Sequence, residues 1–359
     1  MKFIVTAGGQ GKKLWPYSTE SKPKHFQNIL DGRSSFQMAV ETLLKAYSVD
    51  DVFISTKKRY VGIVLQQMPR LGVRNLIVEP DIAKNRGPAE GFVFVKLSIL
   101  YPNEPFMIIQ ADNIRAPETA FLGMIASAEK LVIRDKKFIS GGIKSTSPVL
   151  GVDYLRLGKQ VRLDSNLEIF QVEEFLGRND DFYKTRDLIQ NFHVTVHSNH
   201  SCWYPDLILE AYKKYRPDWY GHLMQIKEVI GTTDEDLKIS EIYAQMEPGA
   251  TEEVTKNLWS EGYVILLPFK WTDIGTWGSL YDFLAKQGEV YSEGKIVAVN
   301  SKDSFIKSED KQKLIATYGI DNLVVVDTKV VLLIIPKDQT EKISELLEEI
   351  RRKDLESYL

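Results

Sequence analysis

The chain has 359 residues, of which 43% are hydrophobic, 11% aromatic and 26% charged, a composition that excludes general disorder and any collagenous or low-complexity chain. Lys and Arg number 46 against 49 Asp and Glu, a formal charge of −3, which argues against a surface built as a whole for nucleic acid or an anionic membrane. At roughly 150 residues per domain, the length predicts two unequal domains with a sizeable core. The single cysteine, Cys202, excludes an intramolecular disulfide or a cysteine-rich zinc site and fits a reducing compartment. Apolar runs such as Val330 to Ile335 fall far short of the roughly 18 to 20 residues of a membrane span. The apolar start, Met1 to Ala7, breaks at Gly8 and is too short for a signal peptide, so a cytoplasmic protein is expected.

In chain order, short apolar runs recur at Phe3 to Ala7, Val52 to Ser55, Leu76 to Val78, Phe106 to Ile109 and Phe138 to Ser140. Stretches of helical spacing lie between them, at Phe36 to Leu44, Tyr60 to Gln67, Ala89 to Leu100 and Ala120 to Leu131. Continuous apolar strands alternating with amphipathic helices predict an α/β fold with a Rossmann-like, mostly parallel sheet. Ligands bind at the carboxyl ends of such strands, so the residues just after each run are where chemistry is expected. From Gly151 to Trp277 the pattern is less regular; its clearest helix is Leu207 to Tyr215 and it ends in the apolar run Tyr263 to Leu267. This stretch reads as an insertion that completes the site over the sheet. From residue 288 the texture changes to closely spaced runs, Ile296 to Val299, Leu323 to Val326 and Val330 to Ile335. The division expected is a catalytic domain over 1–287 and a small β domain, β-helix-like, over 288–359. The last helix carries Ile343, Leu346, Leu347 and Ile350 on one face, a stripe that most often packs on its own domain, with a homodimer interface as the sharper alternative.

The first strand runs into Ala7-Gly8-Gly9-Gln10-Gly11-Lys12-Lys13-Leu14-Trp15-Pro16, followed by Ser21-Lys22-Pro23-Lys24-His25-Phe26. Glycines without Cβ let backbone N–H groups close on a phosphate, and lysines supply the charge. A P-loop would need Gly where Thr6 stands and Ser or Thr where Lys13 stands; a dinucleotide fingerprint would need a third Gly where Leu14 stands. Neither fits. The string resembles the signature of the sugar-1-phosphate nucleotidylyltransferases, and its Trp-Pro variant looks most like the mannose-1-phosphate guanylyltransferases. Similar matches follow in order: Glu79-Pro80 with Asn85 and Pro88-Ala89, Gln110-Ala111-Asp112, Gly142-Ile143-Lys144, Tyr243 to Glu247, and Trp271-Thr272-Asp273-Ile274-Gly275-Thr276-Trp277.

The resemblance implies attack by a sugar 1-phosphate oxygen on the α-phosphorus of a nucleoside triphosphate, with pyrophosphate expelled. Such a reaction needs no protein nucleophile; it needs alignment, positive charge and a divalent cation. By the same resemblance, Asp112 and Asp273 would hold Mg2+, and Lys13 and Lys24 would be the catalytic cations. Gly8, Gly9, Gln10, Gly11 and Lys12 would cradle the triphosphate, with Asn85, Pro88 and Ala89 in the nucleotide and base region. The expected partners are the two small-molecule substrates, with no nucleic acid and no membrane. The chain stops without the fused isomerase domain that long bacterial members carry, so the transferase reaction alone is expected.

Departures from the family pattern concentrate in segments that touch the sugar. Gly11-Lys12-Lys13 replaces Gly-Thr-Arg, keeping charge at Lys13 but losing the planar fork that grips phosphate in two places. Arg86-Gly87 stands for Thr-Ala, Asn113 for His, and Gly177-Arg178 for Glu-Lys, while Val149 to Tyr154 only partly follows the sugar loop. His197-Ser198-Asn199 stands where Asn-Ser-Gly is common. By the resemblance, sugar-phosphate contacts would fall to Gly151, Arg178, His197 and Asn199. A rival reading of His193, His197, His200 and Cys202 is a zinc site; against it, a strand through Val194 and Val196 would put His193 and His197 on one face and send His200 to the other. The alternatives to a GDP-mannose-forming enzyme are the same chemistry on another sugar 1-phosphate or nucleotide, and a non-catalytic nucleotide-sugar-binding regulatory homologue. Asp112→Ala and Asp273→Ala are each expected to abolish pyrophosphate release while leaving the circular dichroism spectrum intact; full activity in either variant refutes the metal assignment.

Overall fold

The computed structural model describes residues 1–9, 11–28, 30 and 32–359; Gln10 of the glycine loop lies outside them. The chain forms two compact units. The first takes in Met1–Ala7, Ala39–Gln110 and Arg115–Trp271, and the second Gly8–Met38, Ala111–Ile114 and Thr272–Leu359.

The first unit is built on a ten-stranded sheet. Strands Lys2–Thr6, Val52–Lys57, Leu76–Glu79 and Phe106–Gln110 are parallel, with Phe3 opposite both Val52 and Met107. These are the apolar runs expected from the sequence, and every residue from Val52 to Lys57 is buried. The irregular middle of the chain does not lie apart from this sheet but extends it. Its strands Asp153–Gln160, Ile169–Arg178, Val194–His197 and Cys202–Trp203 join antiparallel, while Tyr263–Leu266 runs parallel to Ile139–Ile143. The polar alternation that blurred this region is what a half-exposed antiparallel strand shows.

The helix Arg86–Leu100 carries Phe92, Val93, Phe94, Val95 and Leu97, all buried. A helix apolar on every side must be covered on every side. One side meets Ile4, Phe53, Phe106 and Ile108 of the parallel strands, and another meets Tyr212, Trp219 and Leu223 from the helices Pro205–Tyr215 and Pro217–Val229. Gly87 and Gly91 make this approach close enough. A Cβ at Gly87 would overlap the Trp219 ring and stand 2.9 Å from the Gly249 carbonyl oxygen, and one at Gly91 would stand 2.7 Å from Leu223. The glycine of the unusual Arg86-Gly87 pair is thus required by the tryptophan packed on it. No helix among the described residues is long and apolar enough to cross a membrane.

The second unit holds stacked short strands. Val290–Glu293, Ser304–Ser308 and Leu323–Asp327 pair in parallel, Lys295–Val299 pairs in parallel with Leu314–Tyr318, and Leu332–Pro336 closes antiparallel. Their inner residues Phe305, Val324, Val326 and Leu333 form one core with Leu14, Trp15, Ile114, Ile274 and Trp277. The glycine loop therefore belongs to this unit's core, through Leu14 and Trp15. The terminal helix Ile343–Arg352 packs Ile343 and Leu347 into the same core, whereas Leu346 stays exposed. Trp277 is fully buried and its indole N–H donates to the Trp15 carbonyl at 2.9 Å. Trp277→Ala is expected to cost about 3–5 kcal/mol of stability, read by urea denaturation; a loss below about 1 kcal/mol would contradict the packing described.

Candidate functional site

In the second unit, three segments distant in sequence meet at Lys24. The lysine opens a short 3-10 turn, Lys24–Phe26, after Pro23, with His25 and Phe26 buried as its anchors. Its ammonium lies 2.8 Å from Asp112 Oδ2 and 3.6 Å from Asp273 Oδ1. The Lys24 side chain is only 15% exposed, against 31% for Asp112 and 51% for Asp273. Two glycines make room for this arrangement. Gly11 sits in the left-handed region at φ 56° and ψ 47°, a conformation that favours glycine, and a Cβ there would stand 2.5 Å from Lys24 Cγ. A Cβ on Gly275 would stand 3.0 Å from Asp273 Oδ1 and 3.3 Å from Lys24 Nζ.

Burial pushes both carboxyl groups up, and the ammonium pulls them down; the outcome differs because the distances differ. Asp112, in direct contact with Lys24 and also facing His25, ends below the ordinary carboxylate value. Asp273, farther from the ammonium and facing the negative charge of Asp112, ends above it. Among the described residues no third His, Cys, Asp or Glu completes a metal cluster. Two carboxylates converging on one cation are nevertheless the hard oxygen set that magnesium accepts, with phosphate and water as further ligands. The residues present fit the metal that the resemblance implies.

Lys12 and Lys13 also face carboxylates. Lys12 lies 3.4 Å from Glu20. Lys13 pairs with Glu341 of the turn Lys337–Lys342, both largely exposed. Gly9 is exposed with open space around it.

The first unit holds the other expected residues. Asn85 is exposed at φ 61° and precedes the helix Arg86–Leu100, whose first turn accepts Pro88 because no backbone donor is lost there. Gly87 N–H donates to the Gly249 carbonyl at 2.9 Å, and the Gly87 carbonyl accepts from the Tyr212 hydroxyl at 2.8 Å, so the backbone beside Pro88 and Ala89 is held. Among the sugar candidates, Gly151 has φ 71°, and its N–H donates to the Asn179 carbonyl at 3.3 Å. Arg178 is exposed, opposite Asp153 on the paired strand. Tyr154 faces Val196, which sets Gly151 and Asn199 beyond the same end of two adjacent strands.

His197 is buried, with Nε2 2.9 Å from the Ser140 hydroxyl. Burial, with the positive Arg86 adding to it, pushes its pKa down to about 3, so it is a neutral hydrogen-bonding group. His200 accepts from Arg115 Nε at 2.9 Å through Nε2 and meets the Ser198 hydroxyl at 2.9 Å through Nδ1. Its ring nitrogens are thereby spent on protein partners, and Cys202 is buried beside Met1.

Comparisons with known proteins match two parts of the chain. A nucleotidyl transferase model matches residues 2–148, and a MannoseP isomerase/GMP-like beta-helix domain model matches residues 294–350. A mannose-1-phosphate guanylyltransferase of Salmonella muenchen is 26% identical over 97% of this chain and 73% of its own length. One from Escherichia coli (strain K12) is 24% identical over 97% and 73%. The crystal structure of a mannose-1-phosphate geranyltransferase from Thermus thermophilus superposes with a TM-score of 0.83 at 20% identity, covering 98% of this chain and 99% of that one. Residues 2–148 thus carry the nucleotidyl transferase domain.

Several residues of the transferase escaped sequence reasoning. Glu341 sits in a charge-rich turn with no local pattern to connect it to Lys13. Arg115, buried and donating to both His200 and the Gln110 carbonyl, follows Asp112 closely and a carboxyl-end reading of the strand could have found it. Glu79, matched only as part of a motif, is buried, with its Oε2 3.4 Å from the Tyr243 hydroxyl. Burial raises its pKa to about 7, against the lowering effects of Lys57 and the Tyr243 hydroxyl. The folded transferase thus keeps this proton through a window, from about 4.5 to about 7, in which the unfolded chain releases it. The contribution of Glu79 to stability therefore falls as pH rises through that window. Glu79→Gln is expected to gain stability relative to wild type between about pH 4.5 and 8, by on the order of 3 kcal/mol, measured by chemical denaturation at both pH values; a pH-independent difference contradicts the assignment.

Proposed function

We propose that the enzyme joins GTP to mannose 1-phosphate, giving GDP-mannose and pyrophosphate. The observation that carries this reading is the meeting of Lys24, Asp112 and Asp273 at one point. The similarity to mannose-1-phosphate guanylyltransferases, over 97% of this chain and 73% of theirs, supports the choice of substrates. In this reaction a phosphate oxygen of the sugar 1-phosphate forms a bond to the α-phosphorus, the α–β bridging P–O bond breaks, and the electron pair leaves with pyrophosphate. No side chain has to become covalently attached, so the work of the protein is alignment and charge.

Asp112 and Asp273 would hold a magnesium ion, which when bound neutralises phosphate charge. Lys24 brings fixed positive charge to the same place, and Lys13 adds a second charge after exchanging Glu341 for phosphate. Gly8, Gly9 and Gly11 present backbone N–H groups to the triphosphate, with Lys12 beside them, and Asn85, Pro88 and Ala89 take the nucleotide. On the sugar side, Arg178 offers charge to the phosphate, while neutral His197, with Gly151 and Asn199, offers shape and hydrogen bonds to hydroxyls. The single buried cysteine suits a reducing, cytoplasmic setting.

A pyrophosphate-release assay across a matrix of nucleoside triphosphates and sugar 1-phosphates tests the reading. GTP with mannose 1-phosphate is expected to give the highest kcat/KM. A different winning pair reassigns the substrates, and no release from any pair, despite measurable ligand binding, replaces the enzyme with a nucleotide-sugar-binding protein.

A further inference from the structure

Lys24 does more than sit near the carboxylates: it occupies the position between them. Its ammonium is within ion-pair distance of both Asp112 and Asp273, and its side chain is largely shielded from water. The arrangement is built rather than accidental, because Gly11 accommodates the stem and Gly275 leaves space for the head, and a methyl group at either position would crowd the lysine. We propose that Lys24 is the resident cation of this site in the free enzyme, and that a divalent metal binds between Asp112 and Asp273 only as the lysine head leaves. The inference rests on the reading of these two aspartates as metal ligands.

The physical argument is one of charge and reach. The two carboxylates and one ammonium carry a net charge of about −1, enough to attract a further cation. A divalent ion entering with the ammonium still in contact would meet a like charge at close range in a partly buried site, where such repulsion is strong. The lysine stem is held near its backbone, at Cγ, while the outer carbons remain a flexible arm that can carry the charge elsewhere. Its natural new partner is a phosphate oxygen, an anion that also ligates the metal. Metal and triphosphate binding are then coupled in both directions, as linkage requires. Metal alone must displace the lysine without compensation, and phosphate supplies that compensation.

The test uses the full-length, nucleotide-free protein and Mn2+ alone, with free Mn2+ counted by electron paramagnetic resonance. Lys24→Met is expected to bind one Mn2+ about tenfold or more tighter than wild type, the gain expected from removing an opposing charge. Equal affinity within about twofold overturns the displacement. A second measurement needs no variant. Reductive methylation of wild type followed by mass spectrometry should find Lys24 protected without metal and reactive at saturating Mn2+; a lysine still protected with Mn2+ bound overturns the proposal while leaving the metal site standing. Adding Asp112→Asn to Lys24→Met separates the two failures. If the double variant binds Mn2+ as tightly as the single one, or if Lys24→Met is folded and binds none, the metal assignment itself is wrong and the proposal falls with it.

Discussion

The contact of one ammonium with two carboxylates is the constraint around which the second unit is arranged. Lys24, Asp112 and Asp273 are far apart along the chain, and each arrives on a short segment pinned by buried neighbours: Phe26 beside Lys24, Ile114 beyond Asp112, and Ile274 and Trp277 beyond Asp273. The last three share a core with Leu14, Trp15 and the inner residues of the stacked C-terminal strands. The strands therefore help to hold the loop that bears Lys12 and Lys13, and the Lys13–Glu341 pair adds a polar tie of the same kind. As an exposed ion pair it contributes little to stability, on the order of 0–1 kcal/mol, so it can open without endangering the fold.

In the first unit, the dominant constraint is the burial of the helix that begins at Arg86. Covering it on all sides brings Trp219 against Gly87, and the same crowding buries the Glu90 carboxylate. Arg86 answers Glu90 at 2.9 Å and Glu252 at 3.1 Å, while the Thr251 hydroxyl donates to Glu90 at 2.8 Å. Buried charges are tolerated when each is paired and hydrogen-bonded, and the loss of one partner leaves the other costly. Two departures from the family pattern thus become one structural solution: the arginine pairs with acids that a threonine could not satisfy, and the glycine admits the tryptophan. The neutral state of His197 belongs to the same environment, since burial and the positive Arg86 both oppose its protonation.

Much of this was legible in the chain itself. Apolar runs marked the parallel strands because a strand covered on both faces cannot alternate, and glycine with lysine after the first strand marked a candidate phosphate loop because backbone N–H groups and cations suit that task. The helices Val61–Gln67, Arg86–Leu100 and Pro205–Tyr215 matched their periodicity. Less legible was the middle of the chain, where antiparallel strands with one exposed face dilute the apolar signal. The sequence there reads as an insertion over the sheet, although its strands extend it.

The order of residues in the chain, through the family motifs it resembles, determined which groups are candidates for phosphate chemistry: the lysines of the loop, Asp112 at the end of an apolar strand, and Asp273. Tertiary structure alone decided which of these groups touch, that Lys24 lies between Asp112 and Asp273 and that Lys13 faces Glu341. It also decided that His197 is held neutral and that Glu79 keeps its proton to about pH 7. The physical reason is that hydrophobic periodicity reports local burial, which depends on near neighbours in the chain. Charge pairing and desolvation depend on distances across the fold, which local patterns do not encode.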